Sequence, residues 1–228
     1  MAATAYAATV EDVTRALDNA QNASDISREA AVIESMIKAG DRGPDVYTQL
    51  ARAYYLLGEG EPGKQKKLAY LEKAAAAADK SLARKKDPVA LYWRSMALLQ
   101  EADATGGLRA LSMVKEALRG LEEVAKTAPR YDEAGAYRSW GKVLIDAPGW
   151  TFIGDKKKGM ALLQKAKEIA PDNLVNRLYL AQAFIKNGLR AEARTEAQYI
   201  VSAPLNQKNL KDDLETKDEA EKLLKEGL

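Results

Sequence analysis

Between Gly159 and Pro204 small and bulky residues recur at fixed offsets, in the order helix, turn, helix, turn. Gly159, Leu163, Ala166, Ile169 and Pro171 close one helix. Leu180, Ala181, Phe184 and Gly188 mark the next, and Ala193 starts the packing face of a third. Small residues let two helices approach, and bulky ones fill the groove beside them. A pair of this kind cannot bury its apolar face alone, so the pattern demands neighbours that stack.

The same register runs upstream. Tyr47, Leu50, Ala51, Tyr54 and Gly58 form one first helix; Trp93, Met96 and Ala97 form a second. Tyr137, Trp140, Gly141 and Leu144 form a third, and Arg177, Leu180, Ala181, Phe184 and Gly188 a fourth. Second helices are predicted over 64–85, 108–127, 156–170 and 191–202, with Pro88, Pro129, Pro171 and Pro204 just past their ends. Proline cannot continue a helix but suits its first turn, as in Gly43-Pro44 and Asp87-Pro88. Ser24 or Asp25 is placed to cap the helix that ends at Gly40.

This is the register of a tetratricopeptide repeat (TPR), a two-helix unit of about 34 residues. The chain is expected to be all-α, with antiparallel helix pairs stacked as a TPR-like right-handed superhelix, an α-α solenoid. The expected layout is a tail at 1–8 and a single helical-repeat domain over 9–228. Within it lie a helical pair at 9–40, four units at about 44–86, 88–129, 131–171 and 174–204, and a capping helix at about 213–226. Leu50, Met96, Trp140 and Leu180 are 46, 44 and 40 residues apart. The excess over a standard repeat is assigned to loops at 58–63, 103–107 and 148–155.

Composition narrows the chemistry. The 228 residues include no Cys and no His. Thiol nucleophiles, histidine acid–base catalysis, disulfides and the usual zinc sites are therefore excluded. No carboxylate pair is poised for acid–base work, and no metal or cofactor is implied. An enzyme is the least favoured class. A net charge of +2 provides no field for nucleic acid. Thr105-Gly106-Gly107 lacks the flanking pattern of a phosphate loop and reads as a turn. The Lys156-Lys157-Lys158 run stands at a helix start, where the dipole disfavours cations.

At the N-terminus, Ala5-Tyr6-Ala7 has the A-x-A pattern of a signal-peptidase site, though the charged and apolar parts of a leader are missing. Two readings stand: an exported, periplasmic protein with its signal peptide removed, and an Ala-rich tail.

One stretch carries a more specific likeness. Ala134-Gly135-Ala136-Tyr137, Gly141, Ala147-Pro148-Gly149-Trp150, Gly154-Asp155 and a basic helix to Ala170-Pro171-Asp172 follow in order. This resembles the T-component family of TRAP transporters, over roughly residues 88–204. The resemblance implies a bacterial periplasmic or lipid-anchored repeat protein. Such a protein assists a substrate-binding protein or membrane transporter component and encloses a pore for a hydrophobic or organic-acid solute. The chain departs from the lipid-anchored members in having no Cys to lipidate. Similar repeat proteins occur in lipid-trafficking systems.

First helices line the concave face of TPR arrays, so the residues beside the packing positions are the candidate ligand contacts. These are Arg52 and Tyr55, Arg94 and Leu98, Arg138, Lys142 and Ile145, and Leu178, Tyr179, Gln182 and Ile185. Such a mixture of cations, aromatic and aliphatic surface suits an amphipathic anion or an acidic peptide. The plainer reading is that these cations are solvated or paired with neighbouring Asp and Glu. Trp93 and Trp140 sit at packing positions and read as core. Trp150 stands in a loop, either as a plug or as a binding residue. Two functions follow: an envelope protein that binds or transfers a hydrophobic or amphipathic solute, and a TPR adaptor for another protein with no small ligand. Either is compatible with a homo-oligomer.

Overall fold

A computed structural model describes residues 8–206 and 209–228; the Trp150 side chain and the Ala5-Tyr6-Ala7 motif lie outside the described residues. Among the described residues there are eleven α-helices and no strand. They are α1 (Val10–Asp18), α2 (Ala23–Lys38), α3 (Pro44–Glu59), α4 (Lys64–Leu82), α5 (Pro88–Thr105) and α6 (Gly107–Thr127). There follow α7 (Gly135–Asp146), α8 (Lys156–Ile169), α9 (Leu174–Lys186), α10 (Arg190–Ser202) and α11 (Leu210–Lys225). The chain divides into two compact units, one ending at Gly120 and one beginning at Leu121. No helix among the described residues is long and apolar enough to cross a membrane.

Local chemistry sets the helix ends. Pro44 and Pro88 occupy first turns, and the Asp87 carboxylate accepts from the Val89 N–H. Asn173 caps α9 by accepting from the Asn176 N–H. The cap of α2 is Asn22, whose side-chain oxygen accepts from the N–H groups of Ser24 and Asp25. The expected caps, Ser24 and Asp25, instead lie in the first turn, because Asn22 already satisfies two orphan donors.

In the first unit α3 pairs with α4, and α5 packs against both. Ala51, Ala53, Ala74, Ala78, Ala90 and Ala97 are fully buried and permit the close crossings. Thr48 locks the seam: its hydroxyl lies 2.9 Å from Ser81 Oγ and donates to Asp87 Oδ2 at 2.8 Å. Trp93 is buried, with the Tyr55 ring 5.2 Å away and the Tyr92 ring 5.1 Å away.

In the second unit α7 pairs with α8, and α9 with α10. Gly141 and Gly159 meet where α7 crosses α8. A Cβ on Gly141 would lie 2.8 Å from Leu163 Cγ and 2.9 Å from the Gly159 carbonyl oxygen. Helix α11 packs on α9 and α10, with Ala220 in one cluster with Leu174, Leu178, Ala197 and Ile200.

Of the three expected loops, 148–155 is one throughout, 58–63 is one only from Gly60 to Gly63, and 103–107 is reduced to the break at Gly106. Helix α3 runs past Gly58, a position where a Cβ would meet Leu71 at 3.0 Å. Helix α5 runs through Asp103 and stops only at Gly106, whose φ is +70°. Nothing between Asp103 and Thr105 breaks a helix, so the extra residues extend α5.

Candidate functional site

Within each unit the first helices of successive pairs lie side by side, α3 by α5 and α7 by α9. These are the elements that carry the candidate contacts, and the geometry assigns each of them surroundings.

In the first unit Arg52 bonds Asp18 at 2.7 Å and lies 5.8 Å from the Trp93 ring centre. Its Nε is buried without a hydrogen-bond partner. Tyr55 is 3% exposed; its hydroxyl donates to Glu59 at 2.8 Å and accepts from Gln100 at 3.0 Å. Arg94 bridges Asp79 at 2.5 Å and Glu116 at 2.6 Å. Burial would lower its pKa, but the hydrogen bonds to those two carboxylates outweigh burial and raise it. Leu98 is core, packed with Ala102, Met113 and Ala117.

In the second unit Arg138 holds a turn. Asp132, Glu133 and Ala134 have φ values of 50°, 50° and 70° in succession. Left-handed backbone is costly for residues with a Cβ and persists only where the surroundings enforce it. Arg138 provides that enforcement. It donates to Asp132 Oδ2 at 2.6 Å, to the Asp132 carbonyl at 3.2 Å and to Asn176 Oδ1 at 3.0 Å. Asn176 is fully buried and returns a bond to the Glu133 carbonyl at 3.0 Å.

Further along the same face Lys142 donates to Asp146 at 2.5 Å and lies 5.2 Å above the Tyr179 ring. Lys186 reaches the other oxygen of Asp146. Burial would raise the Asp146 pKa, but the hydrogen bonds from Lys142 and Lys186 win and lower it. Gln182 donates to Glu219 of α11 at 2.6 Å, while its own Oε1 is buried without a partner. Ile145 packs with Leu163, Leu180 and Ala183, and Leu178 belongs to the α9–α11 cluster. Ile185 is half-buried.

The structure thus brings Lys142, Asp146, Tyr179, Gln182, Lys186 and Glu219 onto one face formed by α7, α9 and α11. Asp146, Lys186 and Glu219 are not among the sequence candidates. The four-residue spacing of Lys142 and Asp146 on one helix is a signal that could have found the first. Glu219 lies 37 residues from Gln182, and nothing local links them.

The loop before α8 is tightly tied. Thr151 Oγ1 donates to the Pro148 carbonyl at 2.6 Å, and the Asp155 N–H donates to the Leu144 carbonyl at 3.1 Å. A Cβ on Gly154 would stand 2.8 Å from the Ala147 carbonyl oxygen. Phe152, at φ +54°, is 95% exposed.

No family model and no curated protein matches the sequence. Solved structures do. A thermophilic TPR protein from Thermus thermophilus is similar over 95% of this chain and 99% of its own, with TM-score 0.68 and 19% identity. MamA is similar over 94% of this chain and 98% of its own, with TM-score 0.53 and 18% identity. The fold is that of the TPR proteins. Being TPR-like, the chain is an α-α solenoid of antiparallel helix pairs, as the register predicted. The TPR arrangement also accounts for the adjacency of α3 with α5 and of α7 with α9, since first helices of successive repeats are neighbours.

Proposed function

We propose that the protein is a non-catalytic TPR scaffold whose α7–α9–α11 face holds a polypeptide partner. One observation carries the reading: the cations that the sequence marks on first helices, α3 and α5 in one unit and α7 in the other, already have carboxylate partners within the chain. Arg52 is with Asp18, Arg94 with Asp79 and Glu116, Arg138 with Asp132, and Lys142 with Asp146. A small anionic solute would have to displace one of these pairs before gaining an arginine or lysine of its own. A polypeptide can instead exchange many weak contacts over an extended face of paired charges, amide and aromatic groups.

A second reading, envelope solute transfer beside a periplasmic substrate-binding protein or membrane transporter component, is favoured by one feature. The 147–155 loop that resembles the TRAP T-component family is a hydrogen-bonded turn that presents Phe152 to solvent.

Photo-crosslinking separates the two. A crosslinker at Gln182 and at Ile185 is expected to capture the same polypeptide, while one at the exposed Gln164 of α8 captures none of it. Purified protein that carries a fatty or organic acid, with no polypeptide captured from α9, would overturn the scaffold reading in favour of transfer.

A further inference from the structure

The seam between α3 and α4 has an antiparallel seven-residue register. Tyr47, Tyr54 and Glu61 follow one another at intervals of seven, and they meet Lys80, Lys73 and Lys66, which do the same on α4. Lys80 lies 5.7 Å from the Tyr47 ring centre, Lys73 lies 5.1 Å from that of Tyr54, and Lys66 bonds Glu61 at 2.7 Å. Arg84 adds a second cation 4.6 Å above Tyr47. All four cationic side chains are exposed, whereas the two tyrosines beneath are buried. The seam is also the most basic part of the chain. Residues 64–86 hold eight basic and two acidic side chains, a net of +6 against +2 for the whole molecule. Of the two acidic ones, Asp79 is turned to Arg94 at 2.5 Å.

The rings hold Lys73, Lys80 and Arg84 without neutralising them, whereas Lys66 is paired with Glu61. A cation over a ring keeps its full charge, while one in an ion pair does not. Seven residues of helix span about 10.5 Å, so Lys73 and Lys80 stand at that interval. Helices with acidic residues every seven positions present carboxylates at the same interval, the basis of charge pairing between parallel or antiparallel helices. Nucleic acid fits less well. Its phosphates repeat about every 3.4 Å along a strand, and its bases need open aromatic faces, whereas Tyr47 is 6% and Tyr54 8% exposed.

We infer that the exposed face of α4 and the turn after it dock an acidic helix of a partner protein, with Lys73 pairing one carboxylate and Lys80 and Arg84 together, over the same Tyr47 ring, pairing the carboxylate seven residues away. This surface shares no residue with the α7–α9–α11 face and stands whether or not that face binds anything.

The probe is a 24-residue stapled helical peptide with Glu at every seventh position. Its controls are a peptide of the same composition with the Glu residues scrambled, and a single-stranded RNA of equal charge. Fluorescence anisotropy with the full chain is expected to show the regular peptide binding at least about tenfold tighter than either control, with affinity falling as salt rises. Lys73→Gln/Lys80→Gln/Arg84→Gln should lose that preference. Lys73→Arg/Lys80→Arg should keep it, as should Lys64→Gln outside the series, which guards against a loss through misfolding. Equal binding of regular and scrambled peptides, or tighter binding of the RNA, would overturn the proposal.

Discussion

Arg138 donates to the Asn176 side-chain oxygen across 3.0 Å, joining the turn before α7 to the first turn of α9. The same guanidinium holds the Asp132 carboxylate and carbonyl. An arginine that looks like a ligand contact in the sequence is therefore a clamp on strained backbone. Arg138→Ala leaves Asn176 and three left-handed residues without their main restraint. It is expected to cost about 3 kcal/mol, measured by urea denaturation. A change within a few tenths of a kcal/mol would show that the turn holds itself.

The α7–α8 crossing depends on two missing side chains. Gly141→Ala places a methyl against Leu163 and the Gly159 carbonyl at distances real contacts essentially never show. Helix propensity favours alanine by about 1 kcal/mol, so a neutral site would gain stability. Here the backbone must separate instead, and a net loss of about 2 kcal/mol is expected. Thermal unfolding decides the sign.

Thr48 tests the first unit. Thr48→Val keeps shape and removes a hydroxyl shared by Ser81 and Asp87. Ser81 Oγ and Asp87 Oδ2 each lose a partner, although Asp87 keeps its bond from the Val89 N–H, and a cost of about 2 kcal/mol is expected. The double variant Thr48→Val/Ser81→Ala should recover part of it.

Asp146 has a measurable pH signature. Its pKa is lowered in the fold by Lys142 and Lys186, against the opposing effect of burial. A depressed carboxylate contributes stability that is fully present above its unfolded value, about 3.9. That contribution is lost as pH falls through the folded value, which lies lower. Asp146→Asn should therefore be less stable than the parent at pH 7, and the gap should close as pH drops below about 3.9. Urea midpoints measured across that range check the direction; a gap that widens in acid would contradict it.

Much of the helix layout is legible in the sequence because proline, glycine and small residues act locally. Pro44 and Pro88 open helices, and Gly141 marks a close crossing without reference to distant chain. The cap of α2 falls two residues before Ser24 and three before Asp25, since Asn22, Ser24 and Asp25 are all capping types and only geometry shows which oxygen meets which N–H. The loops expected at 58–63 and 103–107 are legible only in part. Glycine in a helix at Gly58 answers a neighbouring Leu71 rather than a turn, and that neighbour is invisible in local pattern. Site chemistry is least legible. Arg94 pairs with Asp79 and Glu116, and Gln182 with Glu219, through packing between helices. Tyr54 under Lys73 is hidden for the same reason, although both sit in seven-residue series that the sequence displays.

Phe152 combines a left-handed backbone with an almost wholly exposed ring. Glycine adopts that backbone freely, so Phe152→Gly relieves strain of about 1 kcal/mol while removing nothing from the core. The fold would be better off without the aromatic. Mutational drift judged on stability alone would erase it, so its persistence or loss among natural variants of this chain separates selection on the loop's surroundings from selection on the loop itself.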